Sequence, residues 1–106
     1  MILGDGLNPF NLSREFIIPE EFSLGNAYPN PFNPVTKIDF GIPIESHVTI
    51  KIYDMHGREV RTLVYGNMQP GLHSTVWQAS SFSSGAYFVK MEAKNYLKTQ
   101  KIVLVK

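Results

Sequence analysis

From Val35 onward, apolar and polar residues alternate at every second position, and short clusters of Gly, Pro, Asn, Asp and Ser interrupt them at regular intervals. Successive side chains of a strand point to opposite faces, so this alternation suits a sheet with one buried face. A helix needs apolar spacings of three and four, and no segment from 35 to 106 sustains them. In Val35–Ile42, Thr36, Ile38, Phe40 and Ile42 share one face, while Lys37 and Asp39 take the other. Pro43-Ile44-Glu45-Ser46 is a turn. In residues 47–53, Val48, Ile50 and Ile52 face inward. Asp54-Met55-His56-Gly57 is a hairpin turn, since Gly57 takes a positive φ at little cost. Residues 58–64 return with Val60 and Leu63 as apolar anchors, and the break in alternation between them predicts a bulge or an edge strand. Residues 65–71 read as a loop. Residues 72–78 place His73, Thr75 and Trp77 on one face, and residues 79–84 form a serine-rich loop. Gly85–Ala93 alternates Tyr87, Val89 and Met91 against Ala86, Phe88 and Lys90. Lys94-Asn95 turns into a final strand over 96–105. The prediction is an all-β fold, an Ig-like antiparallel β-sandwich of about seven strands.

The front of the chain has a different character. In Tyr28-Pro29-Asn30-Pro31-Phe32-Asn33-Pro34, each proline fixes its own φ and pushes the residue before it out of the helical region. The string is rigid and divides an irregular front from the orderly remainder. Residues 1–23 carry Gly4, Gly6, Pro9 and Pro19 and no sustained period. They read as a linker or the end of a preceding region, with Arg14-Glu15-Phe16-Ile17-Ile18 as a candidate short strand. Residues 24–106 read as the domain.

The 106 residues suit one domain. A formal net charge of +1 gives no whole-chain case for nucleic acid as a partner. The charge is unevenly placed: residues 85–106 hold Lys90, Lys94, Lys98, Lys101 and Lys106 against Glu92 alone. Without cysteine there is no disulfide, zinc-thiolate site or thiol nucleophile. No apolar run approaches the roughly 18 residues of a bilayer span, so no membrane insertion is expected. The start has no basic region followed by an apolar one, so an exported protein of this sequence is expected to be a piece of a longer parent.

Candidate chemistry is sparse. His47, His56 and His73 match no metal-ligand spacing; surface, turn and half-buried structural positions are expected for them. Asp54 suits the start of a turn, where its carboxylate caps backbone donors, and Asp39 suits a solvent face. Ser80, Ser81, Ser83 and Ser84 lack the glycines of a nucleophile elbow, and Gly66 and Gly71 flank no phosphate-binding lysine. No acid–base or nucleophile constellation assembles, so an enzyme and a cofactor are not expected. Tyr53, Tyr65, Phe82 and Phe88 are candidates for an exposed aromatic platform.

Four elements taken in order resemble the C-terminal sorting domain of the type IX secretion system, type A, also called the Por secretion system sorting domain. They are Tyr28-Pro29-Asn30-Pro31-Phe32-Asn33-Pro34, Val48-Thr49-Ile50-Lys51-Ile52-Tyr53-Asp54-Met55-His56-Gly57-Arg58-Glu59-Val60, Gly85-Ala86-Tyr87-Phe88-Val89, and Lys101-Ile102-Val103-Leu104-Val105-Lys106. The resemblance covers roughly residues 24–106. It implies a non-catalytic label at the end of a large exported protein of certain Gram-negative bacteria. Such a label directs the covalently attached parent cargo from the periplasm through the outer-membrane translocon. A sortase-like protease at the cell surface then removes it, and the cargo is anchored there or released. The family motifs fall on Pro29, Asn30, Pro31, Phe32, Asp54, Gly57, Arg58, Gly85, Tyr87, Lys101, Val103 and Lys106. Of these, Asp54, Gly57, Gly85 and Tyr87 suit roles in the fold. Lys101, Val103, Lys106 and Arg58 are the candidates for recognition by the translocon, with a free terminal strand read by backbone pairing and lysines adding charge selectivity. Removal of residues 101–106 is expected to block export while leaving most of the sandwich folded, and cleavage is expected in the irregular stretch before Leu24, with the boundary near Ser23-Leu24-Gly25.

Two other readings share part of this pattern. An Ig-like assembly module of the flagellar hook-capping type shares the Tyr-Pro-Asn-Pro-Phe string and the Asp54–Arg58 turn; it is expected to be flanked by further sequence where this chain stops at Lys106. A carbohydrate-binding accessory β-sandwich requires a planar row of exposed aromatics.

Overall fold

The computed structural model describes residues 18–106. Of the expected strand at 14–18, all but Ile18 lies outside them. Seven strands form two sheets: β1 (Ser23–Leu24), β2 (Val35–Ile42), β3 (Ser46–Tyr53), β4 (Glu59–Met68), β5 (Gly71–Gln78), β6 (Gly85–Ala93) and β7 (Tyr96–Leu104). One sheet runs β1-β2-β5 and the other β4-β3-β6-β7, and every strand pairing is antiparallel. The alternation of the sequence is the alternation of burial. Thr36, Ile38, Phe40 and Ile42 from β2 face Val48, Ile50 and Ile52 from β3, Val89 and Met91 from β6, and Ile102 and Leu104 from β7. Removing these surfaces from water is the main stabilising term of the sandwich.

The broken alternation of the fourth strand has a local cause. β4 slips register against β3 twice, between Ile50 and Lys51 and between Ile52 and Tyr53. The extra residues are Leu63 and Val60, the two anchors, and each bulge turns its residue onto the core. The loop expected over 65–71 is shorter than predicted, because Tyr65–Met68 continues β4 opposite Ser46–Thr49. Gly66 carries the strand through a φ of 151° that a side chain resists, so a residue that looked like a loop signal serves a strand irregularity. The turn itself is Gln69-Pro70, closed by a 2.7 Å bond between His73 Nε2 and the Gln69 carbonyl.

At one end of the sandwich, Trp77 is fully buried between the rings of Phe32, Phe82 and Tyr87, with centroids 5.2–5.5 Å away. Phe82, expected at the surface, belongs to this cluster. At the opposite end Phe22 stacks on Tyr96 at 5.9 Å, and Ser23 pairs with Gly41. Ordered packing therefore begins before Leu24.

Candidate recognition site

Residues 25–34 form a strap that ties the two sheets together along one side. Toward β2, the Gly25 amide donates to the Asp39 carbonyl at 2.7 Å, and Tyr28 exchanges two 2.9 Å bonds with Lys37. The Thr36 hydroxyl donates to the Pro29 carbonyl at 2.7 Å. Toward β7, Gln100 accepts from the Ala27 amide at 2.8 Å and donates to the Gly25 carbonyl at 2.6 Å. The Phe32 amide donates to the Val103 carbonyl and the Val105 amide to the Phe32 carbonyl, both at 2.9 Å. Asn30 completes the seam: its Oδ1 accepts from the Val103 amide at 3.0 Å and its Nδ2 donates to the Lys101 carbonyl at 3.2 Å. The bonds before Pro29, Pro31 and Pro34 are all cis. The prolines cannot donate, so their outward positions suit them, while Asn30 and Phe32 between them supply the polar and apolar contacts.

This arrangement corrects the expectation of a free terminal strand. Over residues 101–105 the outer edge of β7 is already paired with the strap, so its backbone is not an open template. It also bears on the removal of residues 101–106. Ile102 and Leu104 are buried in the core, and losing them costs about 2–5 kcal/mol each. That deletion is therefore expected to unfold the domain rather than isolate its recognition residues.

The Asp54 turn is closed as its sequence implied. Asp54 Oδ1 accepts from the His56 amide at 2.8 Å and the Arg58 amide at 3.0 Å, and Oδ2 pairs with Arg58 Nε at 2.9 Å. Gly57 takes a φ of 83° between them. These donors, the Arg58 backbone amide foremost, hold the Asp54 carboxyl below its ordinary range. On the neighbouring strand, Glu59 accepts from the Thr62 hydroxyl at 2.8 Å and pairs with Lys51 at 3.1 Å. The bond from Thr62, then Lys51, lowers the Glu59 carboxyl, and Glu59 raises the Lys51 ammonium.

Across from the turn, Gly85 opens β6 opposite Leu104, and Tyr87 donates to the Ser83 carbonyl at 2.7 Å. Lys106 is pinned to the same serine-rich loop. Its amide donates to Ser84 Oγ at 3.0 Å and its Nζ to the Ser80 carbonyl at 2.5 Å. A groove of about 520 Å³ lies between the turn and this loop, lined by Asp54, His56, Arg58, Phe82, Ser84 and Tyr87 among others. Motif residues from three distant stretches thus meet at one end of the sandwich. Lys101 and Val103 are elsewhere, on the outer face of the four-stranded sheet opposite Phe88 and Ala86. The four recognition candidates therefore divide into two pairs, Arg58 with Lys106 and Lys101 with Val103.

The aromatics do not form the planar row of a sugar-binding face. Tyr53 and Phe88 are cross-strand partners, and the Lys90 ammonium lies 5.7 Å from the Tyr53 ring centre. Tyr65 is two rows away against His47, and Phe82 is in the Trp77 cluster. Sequence reasoning missed Gln100 and the seam made by Asn30. The amide of Asn30, isolated between two prolines, was the one signal available, since such a group needs partners from elsewhere in the chain.

Among the described residues no three His, Asp or Glu side chains gather to hold a metal ion, and no helix is long and apolar enough to cross a membrane. The fold and its strapped C-terminal strand define an Ig-like β-sandwich module. The chain belongs to the family described as the secretion system C-terminal sorting domain, whose model matches residues 26–106, and this is the sorting domain of the type IX system. The fold recurs in PorZ, described as an essential bacterial surface component of the type IX secretion system of Porphyromonas gingivalis. The TM-score is 0.54 at 17% identity, over 90% of this chain and 12% of that one. No curated protein sequence matches the chain.

Proposed function

We propose that residues 24–106 are a non-catalytic sorting label that takes a covalently attached parent protein through the type IX outer-membrane translocon to the cell surface. The membership of residues 26–106 in the sorting-domain family carries this reading. In it, Pro29, Phe32, Asp54, Gly57, Gly85 and Tyr87 hold the shape that is recognised. Arg58, Lys101, Val103 and Lys106 are exposed or half-exposed on that shape and make the contacts. The closed β7 edge favours recognition of side chains on a folded surface over strand addition.

A sortase-like protease then separates label from cargo in the stretch upstream of the sandwich. Phe22 and Ser23 pack on Tyr96 and Gly41, so the reading puts the cut before residue 22 rather than directly against Leu24. The experiment removes residues 24–106 from the parent in a host with this system. The shortened parent is expected to collect in the periplasm, while mass spectrometry of the intact parent finds surface cargo ending before residue 22. Surface delivery of the shortened parent sinks the proposal.

A further inference from the structure

We infer that the groove between the Asp54–Arg58 turn and the serine-rich loop binds an acidic peptide segment with an apolar side chain at its centre. This rests on the sorting reading and names the partner chemistry for one part of the surface. Asp54 is the one carboxylate lining the groove, and both its oxygens are spent on the His56 and Arg58 amides and on Arg58 Nε. Glu59 lies next in sequence but turns to Lys51 and Thr62. Arg61 lies with its guanidinium carbon 5.5 Å from the centre of the Phe82 ring, which lines the groove. Lys106 reaches the carbonyl of Ser80 on the adjoining loop. Among the described residues neither Arg61 nor Lys106 has a carboxylate partner. The groove is thus flanked by the Arg61 guanidinium, which has no carboxylate partner among the described residues, and the exposed Arg58 adds guanidinium donors beyond the Nε that Asp54 uses.

The floor supplies the second requirement. Phe82 and Tyr87 are held by Trp77 and by the Tyr87–Ser83 bond, so they present fixed apolar and aromatic surface without reordering. Ser81, Ser83 and Ser84 add hydroxyl donors along one wall. A carboxylate on either side of a central apolar residue meets Arg58 and Arg61 while that residue covers Phe82. The groove is short and open, which suits a few residues of an extended segment rather than a small enclosed ligand.

The test is an NMR titration of the isotopically labelled full chain with a capped Glu-Glu-Leu-Glu-Glu peptide and its Gln-Gln-Leu-Gln-Gln counterpart. The acidic peptide is expected to shift amides at 54–61, 81–87 and 106, and the neutral one to leave them in place. Arg58→Gln with Arg61→Gln is expected to weaken binding about tenfold. Arg61→Gln alone leaves the turn intact and is expected to show part of that loss. Equal binding by the two peptides, shifts spread over Lys51, Lys90 and Lys101, or undiminished binding by Arg61→Gln and the double variant overturns the inference. Export of a reporter carrying the same variants separates the two claims. A site that binds the acidic peptide on a domain that exports nothing refutes the sorting reading, whereas export with no acidic-peptide binding refutes the groove alone.

Discussion

Asn30→Ala tests the seam between the strap and the terminal strand with little disturbance elsewhere, because the side chain lies at the surface. The substitution removes two hydrogen bonds, one from the Val103 amide at 3.0 Å and one to the Lys101 carbonyl at 3.2 Å. A net contribution of about 0.5–1.5 kcal/mol applies to an ordinary bond of this kind. Water reaches both backbone groups once the amide is gone, so the lower half of that range applies to each. The expected loss is about 1–2 kcal/mol, which lowers the melting temperature of a domain this size by roughly 5–10 °C. Urea unfolding gives the free energy, and amide exchange at Val103 reports the seam locally. Asn30→Asp retains the acceptor for Val103 and loses the donor to Lys101, so it is expected to fall between Ala and the parent residue. Stability within about 0.3 kcal/mol of the parent, with unchanged exchange at Val103, refutes the view that Asn30 closes the edge of β7.

Phe32→Ala empties a site packed against Trp77 and is expected to cost about 3–5 kcal/mol in urea unfolding. Gly57→Ala meets no atom within 4 Å but places a side chain at a φ of 83°, so calorimetry is expected to show a loss of about 1–2 kcal/mol from backbone strain alone. Asp54 has a folded pKa below its ordinary 3.8, so its contribution is complete above that value and is lost as pH falls through the lower folded one. Glu59 behaves likewise below its ordinary 4.5. Unfolding measured from pH 6 downward is therefore expected to lose stability on the acid side, with a shallower fall in Asp54→Asn.

The fold was legible because each strand wrote its burial into alternate residues. Thr36 shows the strength of that signal, since its position in the pattern implied burial against its chemistry and it is fully buried. The pattern failed where the backbone leaves the pleat. Val60 and Leu63 announced an irregularity, but the two register slips appear only once β3 is alongside. Gly66 looked like a loop because local sequence does not distinguish a glycine that ends a strand from one that carries it through a kink.

The site was legible in parts. Asp54, Gly57 and Arg58 form a turn within five residues, and a local hydrogen-bonding pattern can be read locally. The seam joins residues separated by 71 to 73 positions, and no local pattern encodes the meeting of Asn30 with Lys101 and Val103. For the same reason β7 looked like a free edge in sequence and is a paired one in the fold. The lysines of the last strand are not needed there to deter edge pairing over 101–105, because the strap already covers it.

A fusion shows most directly whether this domain is sufficient to sort a protein to which it is joined. Residues 18–106, which include the packing of Phe22 and Ser23, are fused behind a signal peptide and a folded fluorescent reporter in a host with the type IX system. The reporter is then partitioned between periplasm, cell surface and medium. Reporter is expected at the surface or in the medium, and none there when the host lacks the translocon. A reporter that stays in the periplasm with the domain folded contradicts that sufficiency.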